Sequence, residues 1–568
     1  MFARHCLIIL GLITVGVFTL TIVPQASGQE GRRSAGTVFV PMDSWVYPAF
    51  DRLGALGFTE TALAGLRPWT RVECARLVRK ADEKMRSSAA PGAAKELLGA
   101  LEEEFAPEIQ TNMQAELRLE DAYARVGAIG GQPLADDYHF AKTITDDYGR
   151  PFGHGGNALT GASIRASAGP LAVYLQGEYE RAGTLVAQSP AELQAIAAQD
   201  ETPFAIPLRT ASLDRFRFLN TYGSLNWRNN VISFGKQTLW WGPGEDAPFL
   251  FSNNAEPLPM LRISRATPFR LPWLFRYMGP IRFEIMWGRL EGQQFVSLID
   301  AAGTRTVVSP PLHPHPYLDG EKFSFKPTPN LEFGFGLTTV FSGPGFPLTL
   351  KTVLRTYSPS NTIPGAPDDP GDRRSAFDFS YRLPGIRNWA TLYADSFTED
   401  EFSPIAYPRK SAFRPGIYMP QLPKLRRADL RVEGIYTDLP NLRGTGVAYF
   451  NTHYLSGYTN FNQIIGSWIG REGRGVSAWA TYHFTPQSDI QLRFRNQHVN
   501  PSFLEGGRLR DFSASGTLAS AGGLVVRGNL QYEHWAFPLI GAGAKSNVTA
   551  NFEIAFQPNG GRLLWSRK

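Results

Sequence analysis

Val548-Thr549-Ala550-Asn551-Phe552-Glu553-Ile554-Ala555-Phe556 alternates apolar and mostly polar side chains without a break. Successive side chains of an extended chain point to opposite faces, so this period of two specifies a strand with one apolar and one polar face. The pattern recurs upstream. Ile490, Leu492 and Phe494 interleave with Gln491, Arg493 and Arg495, and Phe377, Phe379 and Tyr381 with Asp378, Ser380 and Arg382. Phe333, Phe335 and Leu337 do the same with Glu332 and Gly334, as do Ile281, Phe283, Ile285 and Trp287 with Arg282 and Glu284. Tight joins at Ala168-Gly169-Pro170, Pro486-Gln487-Ser488-Asp489 and Ser520-Ala521-Gly522-Gly523 each link two such runs, so the sheet is antiparallel. Longer Pro-, Gly- and Asp-rich connections, such as Ser309 to Asp319, Pro359 to Arg374 and Phe402 to Pro423, separate others.

Two architectures offer long antiparallel runs of this kind, a soluble sandwich or propeller and an outer-membrane barrel. Composition favours the barrel. Of 568 residues only 19% are charged and 12% are aromatic, and 56 Gly with 42 Pro argue against a largely helical chain. Gln491, Arg493, Arg495 and Gln497 on one face of a single strand suit a polar lumen, with the opposite apolar face toward lipid. The expected fold is mainly β, a transmembrane antiparallel barrel of about 16–18 strands with a small N-terminal α-helical bundle.

The N-terminus reads as an export signal over residues 1–28. Arg4 and His5 precede an apolar stretch from Leu7 to Val23, and Ala26-Ser27-Gly28 supplies small residues for cleavage. Removing it takes Cys6 and leaves Cys74 alone, so neither an internal disulfide nor a Cys-based metal site is expected. Residues 37–107 read as a helical bundle. Asp43 and Ser44 can cap a helix over Trp45–Leu56 that stops at Gly57, and Val46, Phe50, Leu53 and Leu56 share one face. Thr70-Arg71-Val72-Glu73 is a capping box opening a second helix to about Arg86, and a third covers Ala93 to Phe105. The barrel then occupies 108–568.

The formal charge of +6 is spread rather than clustered, which is unlike a nucleic-acid binder. Nucleophile-elbow, zinc-protease, CxxC and P-loop patterns are absent, so no catalytic residue and no cofactor is expected. His313-Pro314-His315 reads as an extended loop and Asp368-Asp369 with Asp372 as solvated loop charge, so no metal site is expected; Glu102-Glu103-Glu104 reads as a wet helix face.

Residues 231–265 carry a resemblance. Val231-Ile232-Ser233-Phe234-Gly235-Lys236-Gln237 leads into Thr238-Leu239-Trp240-Trp241-Gly242-Pro243-Gly244, and Ser252-Asn253-Asn254-Ala255-Glu256-Pro257 follows. Together with Tyr47-Pro48-Ala49-Phe50 and Arg67-Pro68-Trp69-Thr70, these blocks resemble the capsule assembly Wzi family of outer-membrane proteins, with Lys236 where the family often has Arg. The resemblance implies an 18-stranded barrel with a helical bundle at its periplasmic end that binds capsular or exopolysaccharide and aids its surface attachment or assembly. It implies surface polysaccharide, outer-membrane lipid and other polysaccharide export components as partners. Aromatic faces pack on pyranose C–H faces, amides offer paired donors and acceptors, and guanidinium groups meet carboxylates. Trp240, Trp241, Asn253, Asn254, Arg262 and Arg265 are therefore the candidate polysaccharide-binding residues, against the plainer reading of turn, girdle and capping roles. The alternative function is a porin-like channel whose arginine-bearing lumen passes anionic solutes, which a bundle in one mouth would obstruct.

Overall fold

The computed structural model describes residues 35–110, 114–202, 205, 207–293, 296–299, 305–308, 315–343, 346–357, 371–401 and 403–567, with the backbone alone at 296–299 and 305–308. The signal peptide, Cys6, His313, Pro314, Asp368 and Asp369 lie outside them.

The alternating runs form a closed antiparallel barrel of 18 strands, the upper end of the expected range. The first strand, Ala115–Gly131, closes the ring. One edge pairs with Gly155–Ala168 (Ala122 opposite Ala162), and the other with Lys545–Phe556 (Ala122 opposite Phe556). A last segment, Arg562–Arg567, continues beside Ala115–Leu119 after the chain turns at 557–561. The expected alternation holds in register. Leu492, Phe512, Leu530 and Phe552 are exposed on the outer wall. Arg495, Gln497, Asp511, Glu533 and Asn547 are buried in the lumen. A face that would be a defect in water is here the lipid contact.

The two rims differ. Strands join at one rim through short turns such as Gly169-Pro170, Arg228-Asn229 and Pro486-Gln487. Arg228 and Asn229 both have positive φ (49° and 67°), the conformation of a two-residue type I′ hairpin. The opposite rim carries the long connections 132–154, 183–212, 238–257 and 437–472. Short turns mark the periplasmic rim and long loops the outer one.

Helices α1 (Val46–Leu56), α2 (Arg71–Arg86), α3 (Gly92–Glu104) and α4 (Ala106–Gln110) sit against the short-turn rim. Gly36 N–H donates to Gly169 O (2.7 Å), Arg427 pairs with Glu96 (2.8 Å), and Asn559 Nδ2 donates to Glu103 (3.1 Å). Their shared core is Phe50, Leu53, Trp69, Leu77, Leu101 and Phe105. Gly57 ends α1 with φ 95° as the sequence requires, but capping at the starts departs from expectation. Trp45 is the α1 N-cap without a side-chain cap, Ser44 Oγ accepts only from Val46 N–H (3.3 Å), and Asp43 N–H donates to the Tyr148 hydroxyl. The capping box of α2 is half made. Thr70 Oγ1 accepts from Glu73 N–H (3.1 Å), while the Glu73 carboxylate takes the Arg76 guanidinium (2.6 Å). Glu104 leaves the wet face expected of it and is buried, accepting from Arg71 at 2.7 Å; Glu102 and Glu103 stay exposed. Cys74 is buried in this bundle, where burial pushes its thiol well up and keeps it unreactive.

The main apolar core lies inside the barrel. Long loops fold down from the outer rim and pack Phe140, Trp241, Phe249, Phe251, Tyr449 and Trp468 into one cluster with no solvent exposure above a few per cent.

Candidate functional site

The 238–257 loop starts at the outer rim and reaches the periplasmic bundle. Trp240 and Arg67 exchange backbone hydrogen bonds, N–H to O in both directions at 3.0 Å, and Gly242 N–H donates to Gly65 O (3.0 Å). Arg67 is also salt-bridged to Asp51 and to Glu245 (2.9 Å). Burial alone would depress its guanidinium, but the two carboxylates outweigh it and hold the charge. The N-terminal segment and this loop thus meet and are tied together inside the barrel.

Five of the six candidate residues belong to these internal seams. Trp240 and Trp241 are 5% and 2% exposed, so neither ring face reaches solvent. Trp240 Nε1 donates to Gly244 O (2.9 Å), closing the Gly-Pro-Gly turn. Trp241 Nε1 donates to Glu284 Oε1 (2.9 Å), and the other Glu284 oxygen takes Arg262, whose guanidinium also stacks 3.8 Å above the Phe39 ring. Asn254 Nδ2 donates to the Asp137 carboxylate (3.1 Å) and to Ile464 O (3.0 Å), joining three loops. Asn253 is buried beside it, and its carbonyl accepts from Tyr148 N–H (2.7 Å). Arg265 stands apart at the periplasmic end of Leu258–Arg265, bonded to Asn230 Oδ1 (2.9 Å) and stacked on Phe269. The structure brings Trp241 and Arg262 together through Glu284; it does not assemble the six into one surface.

The lumenal arginines are likewise engaged. Arg495 pairs with Asp511 and Glu533 (3.3 Å), Arg414 with Asp395 (2.6 Å), and Arg374 with Asp372 (2.7 Å) and Glu399 (3.0 Å). Asp372, read from sequence as loop charge, is thus a buried ion-pair partner in the lumen. His315 lies 3.9 Å from Glu291, and among the described residues no group of three or more His, Cys, Asp or Glu is placed to hold a metal.

A cavity of about 310 Å³ opens instead on the outer rim, between loops 132–154, 183–212 and 437–472. Tyr138, Phe152 and Phe461 give it aromatic faces, and Gln188, Arg209 and Gln463 give it donors and acceptors. Phe461 is 44% exposed, held with Asn462 in a turn of positive φ (49° and 59°). Sequence reading missed these residues because they come from three distant loops. A signal was present in Tyr454-Leu455-Ser456-Gly457-Tyr458-Thr459-Asn460-Phe461-Asn462, whose rings and amides have the composition of a sugar site.

One wall of the cavity is locked by charge. Helix α5 (Pro190–Gln199), opened by a complete Ser189–Glu192 capping box, ends at Asp200. The Asp200 carboxylate accepts from His139 Nε2 (2.8 Å) and pairs with Arg471, while His139 Nδ1 bonds Asp136 (2.9 Å). Burial would lower the imidazole, but Asp136 and Asp200 outweigh it and raise it from 6.5 to about 9. Burial would raise Asp200, but Arg471 and His139 bring it from 3.8 down to about 2. The raised histidine stabilises fully below pH 6.5 and its contribution fades as pH rises through 9. The depressed aspartate stabilises above 3.8 and its contribution fades as pH falls through 2. Amide protection of residues 190–199 is therefore expected to be highest from about pH 4 to 6.5 and to decline between pH 6.5 and 9. In His139→Gln it should be low across that range. Protection unchanged to pH 10 in the parent would refute the clamp.

A family model for the capsule assembly protein Wzi matches residues 101–550. The chain belongs to the Wzi family. A solved structure of Escherichia coli Wzi, described as an outer membrane protein involved in group 1 capsule assembly and a carbohydrate-binding β-barrel, is similar over 92% of this chain and 99% of its own, at a TM-score of 0.66 and 19% identity. That likeness gives the Wzi barrel fold. An uncharacterized 55.8 kDa protein in the cps region of Klebsiella pneumoniae is 25% identical over 197 residues, 34% of this chain and 35% of that relative.

Proposed function

We propose that this barrel binds capsular or exopolysaccharide at its outer rim, in the cavity bordered by Tyr138, Phe152 and Phe461, and so aids attachment of the polymer to the cell surface. The observation that carries this reading is a rim cavity open to solvent above a lumen filled by the buried loop core. Membership of a capsule assembly family supports a glycan ligand, and the Escherichia coli relative is described as carbohydrate-binding. Arg209 and Arg215 on the cavity wall suit acidic sugars. Weak contacts suffice, because a repeating polymer multiplies them. The chain acts by binding rather than catalysis. Residues 37–107 close the periplasmic mouth, and the barrel 108–568 presents the rim. Trp240, Trp241, Asn253, Asn254 and Arg262 serve the site at one remove, by fixing the loops that frame it, and Arg265 serves the periplasmic end of its strand.

Purified protein titrated with the organism's own capsular polysaccharide tests this. Phe461→Ala and Asn462→Ala remove exposed groups, so the fold should be untouched. Loss of one stacked ring, at about 1.4 kcal/mol, weakens binding about tenfold. Parent-like affinity in both variants would remove the rim cavity from consideration.

A further inference from the structure

A groove of about 700 Å³ is cut into the outer wall of the barrel, not its lumen, just below the long-loop rim. Its floor is one lateral row across adjacent strands: Phe377 opposite Ser396, Ser396 opposite Phe413, and Phe413 opposite Tyr436. These are outward positions, since their neighbours Asp378, Asp395 and Arg414 engage one another or other partners in the lumen. Pro404, Ile405 and Pro408 overhang the groove from the 400–410 connection, with Ile405 58% exposed. The occupant of a pocket on this wall has to come from the membrane.

The row changes character beyond Tyr436. Its next members are Arg474, His498 and Arg508, in register across three more strands, with Arg510 beside them. Arg443 meets Arg474 over the groove, each about half exposed. Both lean on Asp438, which takes the Nε–Nη2 edge of Arg474 and lies 3.5 Å from Arg443 Nε. One carboxylate between two guanidinium groups leaves a net positive rim. Directly below the row are Phe512 and Tyr532, both exposed to lipid. Cations thus stand at the headgroup level above an apolar, roofed trough.

We propose that this groove is a binding site for an outer-leaflet lipid that carries phosphate on its headgroup. The acyl or sugar–acyl portion lies on Phe377, Phe413 and Ile405, and Arg443 and Arg474 hold the phosphate. Guanidinium matches phosphate geometry with paired N–H donors, whereas a zwitterionic headgroup would bring its own cation against the arginines. Such a lipid would fasten the 400–410 and 437–443 connections to the membrane surface from outside. It shares no lining residue with the glycan cavity, which draws on residues 455–463 of the same 437–472 connection.

Full-length protein in phosphatidylcholine nanodiscs, titrated with diphosphorylated lipid A and read by native mass spectrometry, provides the test. The parent should retain lipid A in preference to its dephosphorylated form. Arg443→Gln with Arg474→Gln should weaken retention at least tenfold, since each charge-assisted contact is worth about tenfold or more. Ile405→Asp, which leaves both arginines intact, should weaken the same lipid. Unchanged melting and heat-modified mobility would show that the variants are folded. Equal retention of the dephosphorylated lipid, parent-like retention by the double variant, or displacement by millimolar pyrophosphate would each overturn the proposal.

Discussion

In planar bilayers the full-length protein is expected to carry no steady ionic current, and only one class of loop variant is expected to open it. An open barrel of 16–18 strands leaves an aqueous channel, so silence has to come from what fills it. Two seals lie in series. The lower one is the 57–70 segment, held by Arg67 against Asp51, Glu245 and the Trp240 backbone. The upper one is the loop core of Phe140, Phe249, Tyr449 and Trp468. Deleting residues 37–107 removes the lower seal alone, and replacing 440–470 with a short turn removes part of the upper one. Each variant should still be closed by the seal it keeps. Loop 238–257 contributes Trp240 to the lower seal and Phe249 with Phe251 to the upper one, so its replacement by a Gly-Ser turn should give steady conductance. Current through the intact protein would instead restore the anion-channel reading, although paired arginines such as Arg414 with Asp395 offer little net field to an anion.

Local pattern in the sequence was enough for the strands, because lipid-facing alternation is imposed residue by residue. Val548 to Phe556 and Ile490 to Arg495 lie in the expected phase, and the hairpin turns fall where Gly, Pro and Asn place them. Helix α2 starts at Arg71 behind Thr70 and ends at Arg86 for the same local reason. What local pattern cannot carry is the partner across the lumen. Glu73 has the right spacing for a capping box, but Arg76 competes for its carboxylate and wins on charge. Phe283 and Ile285 alternate like lipid-facing residues, yet Phe269 covers them from the 266–280 connection. The Trp-Trp and Asn-Asn blocks stand out as a motif, but nothing within them reveals that Glu284, Asp137 and Ile464 lie opposite. Those contacts span up to 210 residues of chain. The same distance hid the rim cavity.

That burial decides the effect of substitutions in the motif. Trp241→Ala should lower stability by about 3–5 kcal/mol, through the cavity it leaves among Leu250, Phe251 and Met286. It also strips the indole donor from Glu284, so Arg262 and Glu284 stand as a fully buried pair with one partner fewer. Trp241→Phe keeps most of the packing and should cost only the lost donor, about 1–3 kcal/mol. Asn254→Ala should fall in the same 1–3 kcal/mol range, because burial raises the Asp137 acid and the nearby Lys142, at 3.5 Å, becomes its main counterweight. Melting of the folded barrel, read as heat-modified electrophoretic mobility, ranks the three variants. Glycan retention per folded molecule then separates scaffold from contact. If these side chains hold loops, retention falls in step with stability, Trp241→Ala most, and Trp241→Phe stays near the parent. If Trp241→Phe melts like the parent but loses the polysaccharide, then the indole itself reaches the sugar, and a ring 2% exposed here must emerge when glycan binds.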